Sequence, residues 1–483
     1  MGIFLKEHTF ANLTITKDVI AFTENKKKFL LHTADGNLEL KKRKFKTERG
    51  KDYHCFSCNV AENIVSLKSN YFVGLDWFTT DRYIYVEPKL NFTVSDIFDE
   101  VIEYTKENLS DEEIENFNSQ AKLELQNAKK NSYREINIIV MLMEILSHSE
   151  VAKQTDSLLL IDWKCPEIEI EQKQDLLTPF LVVKFLKLLQ DIARKGLKKS
   201  YYKIQENLKN RVKGKILVGQ QIKQNVFKNR FTNTVCEYQV FGEDSLENRF
   251  LKKVFLFCIQ YVENNKYYFK KENVISGLVD FIRPAFENVG SEVDLQEIKH
   301  LKYNPFFKEY QEAIKICQKI LKRFSYNITR TTTEKIFTPP FWIDMPKMFE
   351  LYVYAKFLED NPSLSSSHFN YQFSTHGNAL DFLISTDNDK IVVDAKYKLK
   401  YNYNQIHEDI RQVAGYARLN KVRKEVGYSG NEEIPCLIIY PKPAGSKANS
   451  KLEIDKLLID DNRISAYHQV YKIGIDLPLI DPV

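Results

Sequence analysis

The pattern of apolar and polar positions changes rhythm twice along the chain. Residues 1–90 run in short apolar stretches broken by turn residues, which predicts strands and turns. Tyr71-Phe72-Val73-Gly74-Leu75 and Tyr83-Ile84-Tyr85-Val86 read as two such strands, the second closed by Pro88. The Asp-Gly pair in Ala34-Asp35-Gly36-Asn37 suits a tight hairpin turn joining Phe29-Leu30-Leu31 to a strand through Leu38 and Leu40. Ile97, Val101 and Tyr104 lie at helical spacing, so 96–115 reads as an amphipathic helix. From about 133 to 325 helical spacing dominates. Leu177, Leu181, Phe185, Leu188 and Ile192 form one stripe, Phe250, Val254, Cys258 and Tyr261 a second, capped by Asp244-Ser245, and Ile314, Cys317 and Leu321 a third. These stripes are core faces. The last third reads as a helix over 345–361 with Pro346 in its first turn, strands over 369–373, 380–385 and 391–398, a helix over 405–420, and a short apolar strand over 436–440 ended by Pro441. Thr386-Asp387-Asn388-Asp389 turns the second strand into the third. The class is therefore α/β and multidomain: a β-rich N-terminal region (1–130), a mainly helical middle region (131–335), and a C-terminal αβββαβ core (336–483).

Composition narrows this little. A chain of 483 residues with 43% hydrophobic and 28% charged residues has enough apolar surface for two to four cored domains, which excludes wholesale disorder. Lys and Arg number 70 against 65 Asp and Glu, so any basic surface is local. Seven cysteines form no disulfide framework; Cys55 and Cys58, beside His54, look like half a zinc site without a second half, and ordinary reduced cysteines in a strand explain them better. No signal peptide, myristoylation pattern or uninterrupted apolar span is present, which predicts a soluble, cytoplasmic protein.

Two segments carry a charge bias. Residues 96–115 hold nine acids and one base, read as a solvated face in preference to a docking face for a basic partner. Residues 194–230 hold twelve Lys or Arg and one acid, Glu206, with Tyr201, Tyr202, Phe227 and Phe231 interleaved or adjacent. Clustered cations with aromatic neighbours suit phosphates and bases, and Lys213 and Lys215 are candidate DNA contacts; a solvated basic face is the competing reading.

The chemistry lies in the last third. In a strand, residues i and i+2 share a face, so Asp394 and Lys396 point together. Asp381, on the neighbouring strand, can reach the same edge. Two carboxylates there suit Mg²⁺, with Mn²⁺ as a substitute, and a metal so held activates water and stabilises charge on a phosphate under attack. Lys396 can orient or help deprotonate that water. Glu350, on the preceding helix, is a further candidate ligand. Gln412 and Tyr416, four apart on the next helix, share a face and can bond a phosphate or the lysine, with Arg411 adjacent. Asp-x-Lys alone is a weak signal, and an edge-strand salt pair explains it equally well. The whole order, Glu on a helix, Asp on a strand, a hairpin, Asp-x-Lys, then Gln-x-x-x-Tyr, points to a nuclease.

These residues resemble the PD-(D/E)XK nuclease superfamily and, more narrowly, the McrC family, the nuclease subunits of McrBC-type modification-dependent restriction systems. The resemblance rests on Met348-Phe349-Glu350-Leu351-Tyr352, Leu380-Asp381-Phe382, Val393-Asp394-Ala395-Lys396-Tyr397-Lys398 and 409–416. Upstream, Val212-Lys213-Gly214-Lys215-Ile216 and Asn248-Arg249-Phe250-Leu251-Lys252 also resemble that family, and Val73-Gly74 with Glu87-Pro88-Lys89 does so more weakly. Leu380 stands where the superfamily has its naming proline. The resemblance implies a restriction-endonuclease-like core whose cleavage site is Asp381, Asp394 and Lys396, supported by Glu350 and Gln412. It also implies an N-terminal region that docks on a hexameric AAA+ GTPase motor, which reads the modified base. The sequence holds no Gly-x-x-x-x-Gly-Lys-Ser/Thr phosphate loop, in keeping with a motor on another chain. The expected function is Mg²⁺-dependent cleavage of double-stranded DNA in antiviral defence, with dimerisation of nuclease domains for double-strand cuts. A self-sufficient restriction nuclease and a non-catalytic activator of the motor are the alternatives.

Overall fold

The computed structural model describes residues 2–7, 9–15, 19–24, 27–32, 45–46, 52–61, 64–78, 82–90, 92–93, 133–171, 175–266, 268–269, 272–293, 307–324, 335–375, 378–398, 403–428, 432–442, 451–464 and 466–480. Strands and helices mix throughout, as the α/β class requires. The chain forms two compact units, residues 1–169 with 337–483, and residues 170–336. These units cut the sequence differently from the three predicted segments: the first and last thirds share one unit, and 131–169 goes with them. The acidic 96–115 segment and the Asp35-Gly36 turn lie outside the described residues. The strand Lys27–His32 pairs antiparallel with Val19–Glu24, and the forward partner expected through Leu38 and Leu40 lies outside the described residues. Among the described residues no helix is long and apolar enough to cross a membrane.

The two predicted N-terminal strands are Phe72–Trp77 and Tyr83–Glu87, and they pair antiparallel. Gly2–Lys6 adds parallel to Tyr83–Glu87, and Phe341–Asp344 from the last third adds antiparallel to Phe72–Trp77. Apolar side chains of this sheet, among them Ile3, Leu5, Ile84, Val86 and Trp342, form one core cluster. Cys55 is buried in the same cluster, and burial raises its thiol pKa. Gly74 sits where two backbones meet: its φ is +149°, and a Cβ there would lie 2.1 Å from the Phe341 carbonyl oxygen.

The strand Phe341–Asp344 runs directly into the helix Met345–Asp360, whose first turn holds Pro346 and whose N-cap, Asp344, accepts from the Lys347 N–H. Met348, Tyr352, Ala355 and Leu358 lie at helical spacing, which predicts one apolar stripe on this helix. It is instead buried on nearly all sides, including Phe349, Leu351, Val353 and Phe357, because it packs both on the helix Ile138–Ser147 and on the C-terminal sheet. That sheet has the order 369–375, 378–385, 390–395, 436–442, 470–476; the first three strands are antiparallel and the last three parallel. The helix Tyr403–Ala417 covers one face through Ile410, Val413 and Ala417. The strand predicted to stop at Pro441 continues to Lys442, pairing with Val470–Asp476.

The other unit contains the helices Leu177–Lys195, Leu246–Asn264, Glu272–Ile282 and Lys308–Arg323. Ser245 caps the second as expected, accepting from the Asn248 N–H. Arg323 and Asp175 form an ion pair at 2.6 Å with both side chains 1% exposed, and Asp175 also accepts from the N–H groups of Leu177 and Thr178. The basic segment folds mainly as a hairpin, Ser200–Lys209 paired along its length with Asn233–Gly242, with Lys215–Ile216 as a third strand.

Gly74→Ala should destabilise the protein by about 2–3 kcal/mol or more, since the neighbouring carbonyl belongs to backbone and cannot step aside. A urea midpoint within error of wild type would contradict the close approach. Arg323→Met, which leaves Asp175 buried and unpaired, should cost about 3–5 kcal/mol in the same assay.

Candidate active site

Asp381 and Asp394 come together because their strands are paired neighbours. The register runs Ser385↔Lys390 to Phe382↔Val393, and one further step sets Asp381 opposite Asp394. Ionised together the two would repel, since like charges directly opposite destabilise a sheet. Asp381 does not make an ordinary ladder contact there. Its Oδ2 accepts from the Ala395 N–H at 2.7 Å. On the other side of its strand, Tyr371↔Phe382 and Phe373↔Leu380 are paired, but Gln372, opposite Asp381, is not, and its φ is +50°. Leu380 and Leu383 both pack under the helix Tyr403–Ala417, which strict alternation would forbid. The sheet thus opens locally around Asp381.

Asp394 is 2% exposed. Its Oδ2 lies 2.8 Å from the Lys396 ammonium, yet it has no partner with hydrogen-bond geometry. The contact is a charge pair without an aligned donor. The Lys396 ammonium donates to Gln412 Oε1 at 2.8 Å, and Gln412 Nε2 donates to the Tyr416 hydroxyl at 2.6 Å. The predicted Gln-x-x-x-Tyr face therefore meets the predicted lysine. Lys396 keeps 17% side-chain exposure, and Gln412 is exposed, so the cluster opens to solvent.

Burial sets the electrostatics. Desolvation raises the pKa of Asp381 well above the carboxylate range, reinforced by the charges of Glu350 and Asp394. Desolvation also raises Asp394, with Lys396 opposing. Burial works against the Lys396 ammonium, but Asp394, Asp409 and Asp381 together outweigh it and hold its pKa above the ordinary value. Lys396 is thus a fixed cation in this state, which fits orientation and charge stabilisation better than proton abstraction. Desolvation raises Glu350 as well; its Oε2 accepts from the Tyr371 hydroxyl at 3.2 Å and from Gln372 Nε2 at 3.4 Å. Among the described residues, no group of three or more His, Cys, Asp or Glu side chains is arranged to hold a metal ion. The donors nearest to that role are the two aspartates, with Glu350 near enough for its charge to act on both.

Other predicted residues lie elsewhere. Arg411 is exposed and lines a hollow with Arg418, Arg423 and Tyr467, not with Lys396. Lys213 and Lys215 belong to the other unit. Lys213 sits 4.1 Å over the Tyr238 ring, and Lys215 pairs in register with Glu237. The basic segment is less bare than its sequence implies: Arg194, Lys195, Lys198, Lys199 and Lys203 pair with Asp191, Glu309, Glu247, Glu243 and Glu237. The remaining cations lie between Lys209 and Arg230, beside the exposed rings of Phe227 and Phe231.

Asp409 was missed as a site residue. It is 4% exposed, lies 3.0 Å from the Lys398 ammonium and 3.9 Å from that of Lys396. Helical spacing could have found it, since 409, 412 and 416 share a face. Glu7 was missed for want of any local signal, and Lys89, although part of the weakly family-like Glu87-Pro88-Lys89, was not read as a site residue. Glu7 Oε2 accepts from the Tyr397 hydroxyl at 3.1 Å and from the Lys89 backbone N–H at 3.2 Å, and the Lys89 ammonium donates to the Tyr397 carbonyl at 2.5 Å. Burial pushes Glu7 up to about 7, with Lys89 opposing, and pushes Lys89 down to about 8, with Glu7 opposing.

The sequence matches the family described as "McrBC 5-methylcytosine restriction system component" over residues 159–441, more than half of the chain, and the chain belongs to that family. Among solved structures it is similar to a half-complex from a tetradecameric assembly of Thermococcus gammatolerans McrB AAA+ hexamers with bound McrC. The identity is 12%, covering 99% of this chain and 95% of that chain, with a TM-score of 0.35. A second similar structure is the Thermococcus gammatolerans McrBC complex, at 13% identity, covering 74% of this chain and 88% of that chain, with a TM-score of 0.26. Comparison with curated proteins gave no match.

The raised pKa of Glu7 has a measurable consequence. Folded Glu7 keeps its proton up to about pH 7, whereas its ordinary value is 4.5. The folded state binds the extra proton in that interval, so Glu7 makes stability fall as pH rises from 4.5 towards 7. Glu7→Gln should flatten that part of the pH–stability curve, read from denaturant midpoints at pH 5 and pH 7. An unchanged slope would show that Glu7 is ionised throughout.

Proposed function

We propose that the chain is the Mg²⁺-dependent DNA endonuclease subunit of a McrBC-like restriction complex, built on a PD-(D/E)XK core. It cleaves phosphodiester bonds when docked on an AAA+ GTPase motor that recognises modified DNA, in defence against phage. The observation that carries this reading is the meeting of Asp381, Asp394 and Lys396 beside Gln412 at the end of two inner strands, where the sheet opens to solvent.

The donor set fits a hard cation. Asp394 Oδ2 is buried without an aligned donor, and a divalent ion would let both aspartates ionise. Mg²⁺ commonly takes one or two protein carboxylates and fills its remaining positions with water and substrate phosphate, so the two aspartates suffice, with Glu350 as an outer partner. When bound, such an ion supplies the charge that activates water and offsets the negative charge building on the phosphate. The chain's own side chains do the rest. Lys396, protonated, holds a phosphate oxygen or the attacking water in line. Gln412 fixes the lysine's direction, and Tyr416 fixes Gln412 while keeping its own hydroxyl hydrogen to offer to a phosphate. Asp409 holds Lys398 and shares the field around Lys396. Arg411, Lys213 and Lys215 serve as DNA contacts in this reading, and the docking surface for the motor lies in the N-terminal region.

One such site cuts one strand, so double-strand cleavage calls for two nuclease domains acting together. The sequence holds no phosphate loop, so a nucleotide-driven motor would be another chain.

Asp394→Asn and Lys396→Ala should each lower cleavage by about a hundredfold or more while DNA binding holds, the scale lost when a group stabilising transition-state charge is removed. Cleavage of modified DNA should be measured with the AAA+ partner, with and without GTP, in Mg²⁺, Mn²⁺ and EDTA. Full-rate cutting by either variant sinks the proposal; site-specific cutting by the chain alone without nucleotide replaces the motor-dependent reading with the self-sufficient one.

A further inference from the structure

Lys396 is the last residue to follow the strand ladder before the chain turns away. Its N–H donates to the Ile439 carbonyl at 2.7 Å, and two residues later the Lys398 N–H donates back to the Lys396 carbonyl at 2.8 Å. Tyr397 is therefore the central residue of a three-residue turn that starts at the lysine. Such a turn is not held by sheet pairing, and whatever fixes Tyr397 fixes the direction of the side chain before it.

Tyr397 is held from a distant part of the sequence. The parallel strands Gly2–Lys6 and Tyr83–Glu87 end side by side, and the Glu7 N–H extends their pairing by donating to the Glu87 carbonyl at 2.9 Å. Immediately past those ends, Glu7 takes the Tyr397 hydroxyl, and the Lys89 ammonium takes the Tyr397 carbonyl. The same ammonium lies 4.2 Å from the Tyr397 ring centroid and 4.7 Å from that of Tyr71. The Tyr397 ring also packs 6.0 Å from Phe349, the residue before Glu350. Glu7 is 1% exposed and Tyr397 5% exposed, and Glu7 Oε1 has no hydrogen-bond partner. Charged groups this buried are costly and serve packing poorly. Their contacts converge on one peptide of one turn.

We propose that Glu7 and Lys89 are positioning residues for Lys396: through Tyr397 they clamp the 396–398 turn and so hold the lysine against Asp394 and Gln412. The N-terminal sheet is thereby a built part of the cleavage site, although neither residue touches the reacting atoms. This inference rests on the nuclease reading for its consequence in catalysis, but not for its geometry.

The test uses the full-length chain and reads the lysine directly. Amine acetylation of the folded protein at pH 8, followed residue by residue by mass spectrometry, reports how firmly Lys396 is held, with exposed Lys203 as the internal reference. In Lys89→Met and in Tyr397→Phe, Lys396 should be acetylated roughly fivefold faster than in wild type, as its local opening becomes easier, while Lys203 is unchanged. Lys89→Arg, which keeps a donor and a cation over the rings, should restore most of the protection. With the AAA+ partner present, the same variants should lower kcat and leave KM for DNA near wild type. Tyr397→Phe removes a single hydroxyl and decides the matter if Lys89→Met does not fold. Wild-type acetylation of Lys396 in Tyr397→Phe overturns the clamp. Loss of protection in a chain that never cuts DNA would keep the clamp and remove the nuclease reading, so the two failures are distinguishable.

Discussion

Two carboxylates held face to face across adjacent strands are the constraint around which this unit is organised. Burial opposes the charge of both Asp381 and Asp394; the Glu350 and Asp394 charges raise Asp381 further, while a hydrogen bond with Asp381 favours the charge on Asp394. The fold tolerates them because compensation is arranged on every side: the Ala395 N–H on Asp381, the Lys396 ammonium beside Asp394, and a local opening of the sheet at Gln372. Folded proteins keep such frustrated spots where function requires them, and the surrounding core bears the cost. Here that core is the aromatic cluster of Tyr354, Phe357, Phe369 and Phe382 on one face and the Ile410–Val413–Ala417 stripe on the other.

The compensating charges form a chain. Asp394, Lys396, Asp409 and Lys398 alternate in sign, with neighbours within 4 Å. Alternation keeps Lys396 protonated and pointed. It also makes the site sensitive to anything that moves the turn after the strand, because the strand's backbone pairing ends there.

What could be read from the sequence follows from the range of each interaction. The helix stripes of 177–195 and 246–264, the Asp394–Lys396 face and the Gln412–Tyr416 face all depend on residues a few positions apart, where backbone geometry alone sets neighbours. Asp381 was within reach because one hairpin joins its strand to the next. The clamp at Tyr397 was invisible, since its partners sit at positions 7 and 89 and no local period connects them. The left-handed backbone at Gln372 was equally hidden, because glutamine carries no preference for it. The free charge of the 194–230 segment was overestimated for the same reason: of the five ion pairs named above, three are made with acids across a hairpin or on neighbouring helices.

The interleaving of the chain has a consequence for how the protein can be made and divided. Phe72–Trp77 lies between Tyr83–Glu87 and Phe341–Asp344, so an inner strand of the N-terminal sheet receives one neighbour only after the whole 170–336 unit has been synthesised. Until then its edge is an open template for wrong partners, and contacts this remote in sequence form slowly. A fragment beginning near 336 would carry one strand of a sheet whose other members it lacks, and one ending there would leave that sheet with a bare flank. The inserted unit can be exchanged more freely than residues 1–169 can be parted from residues 337–483, for these two stretches form a single folded body.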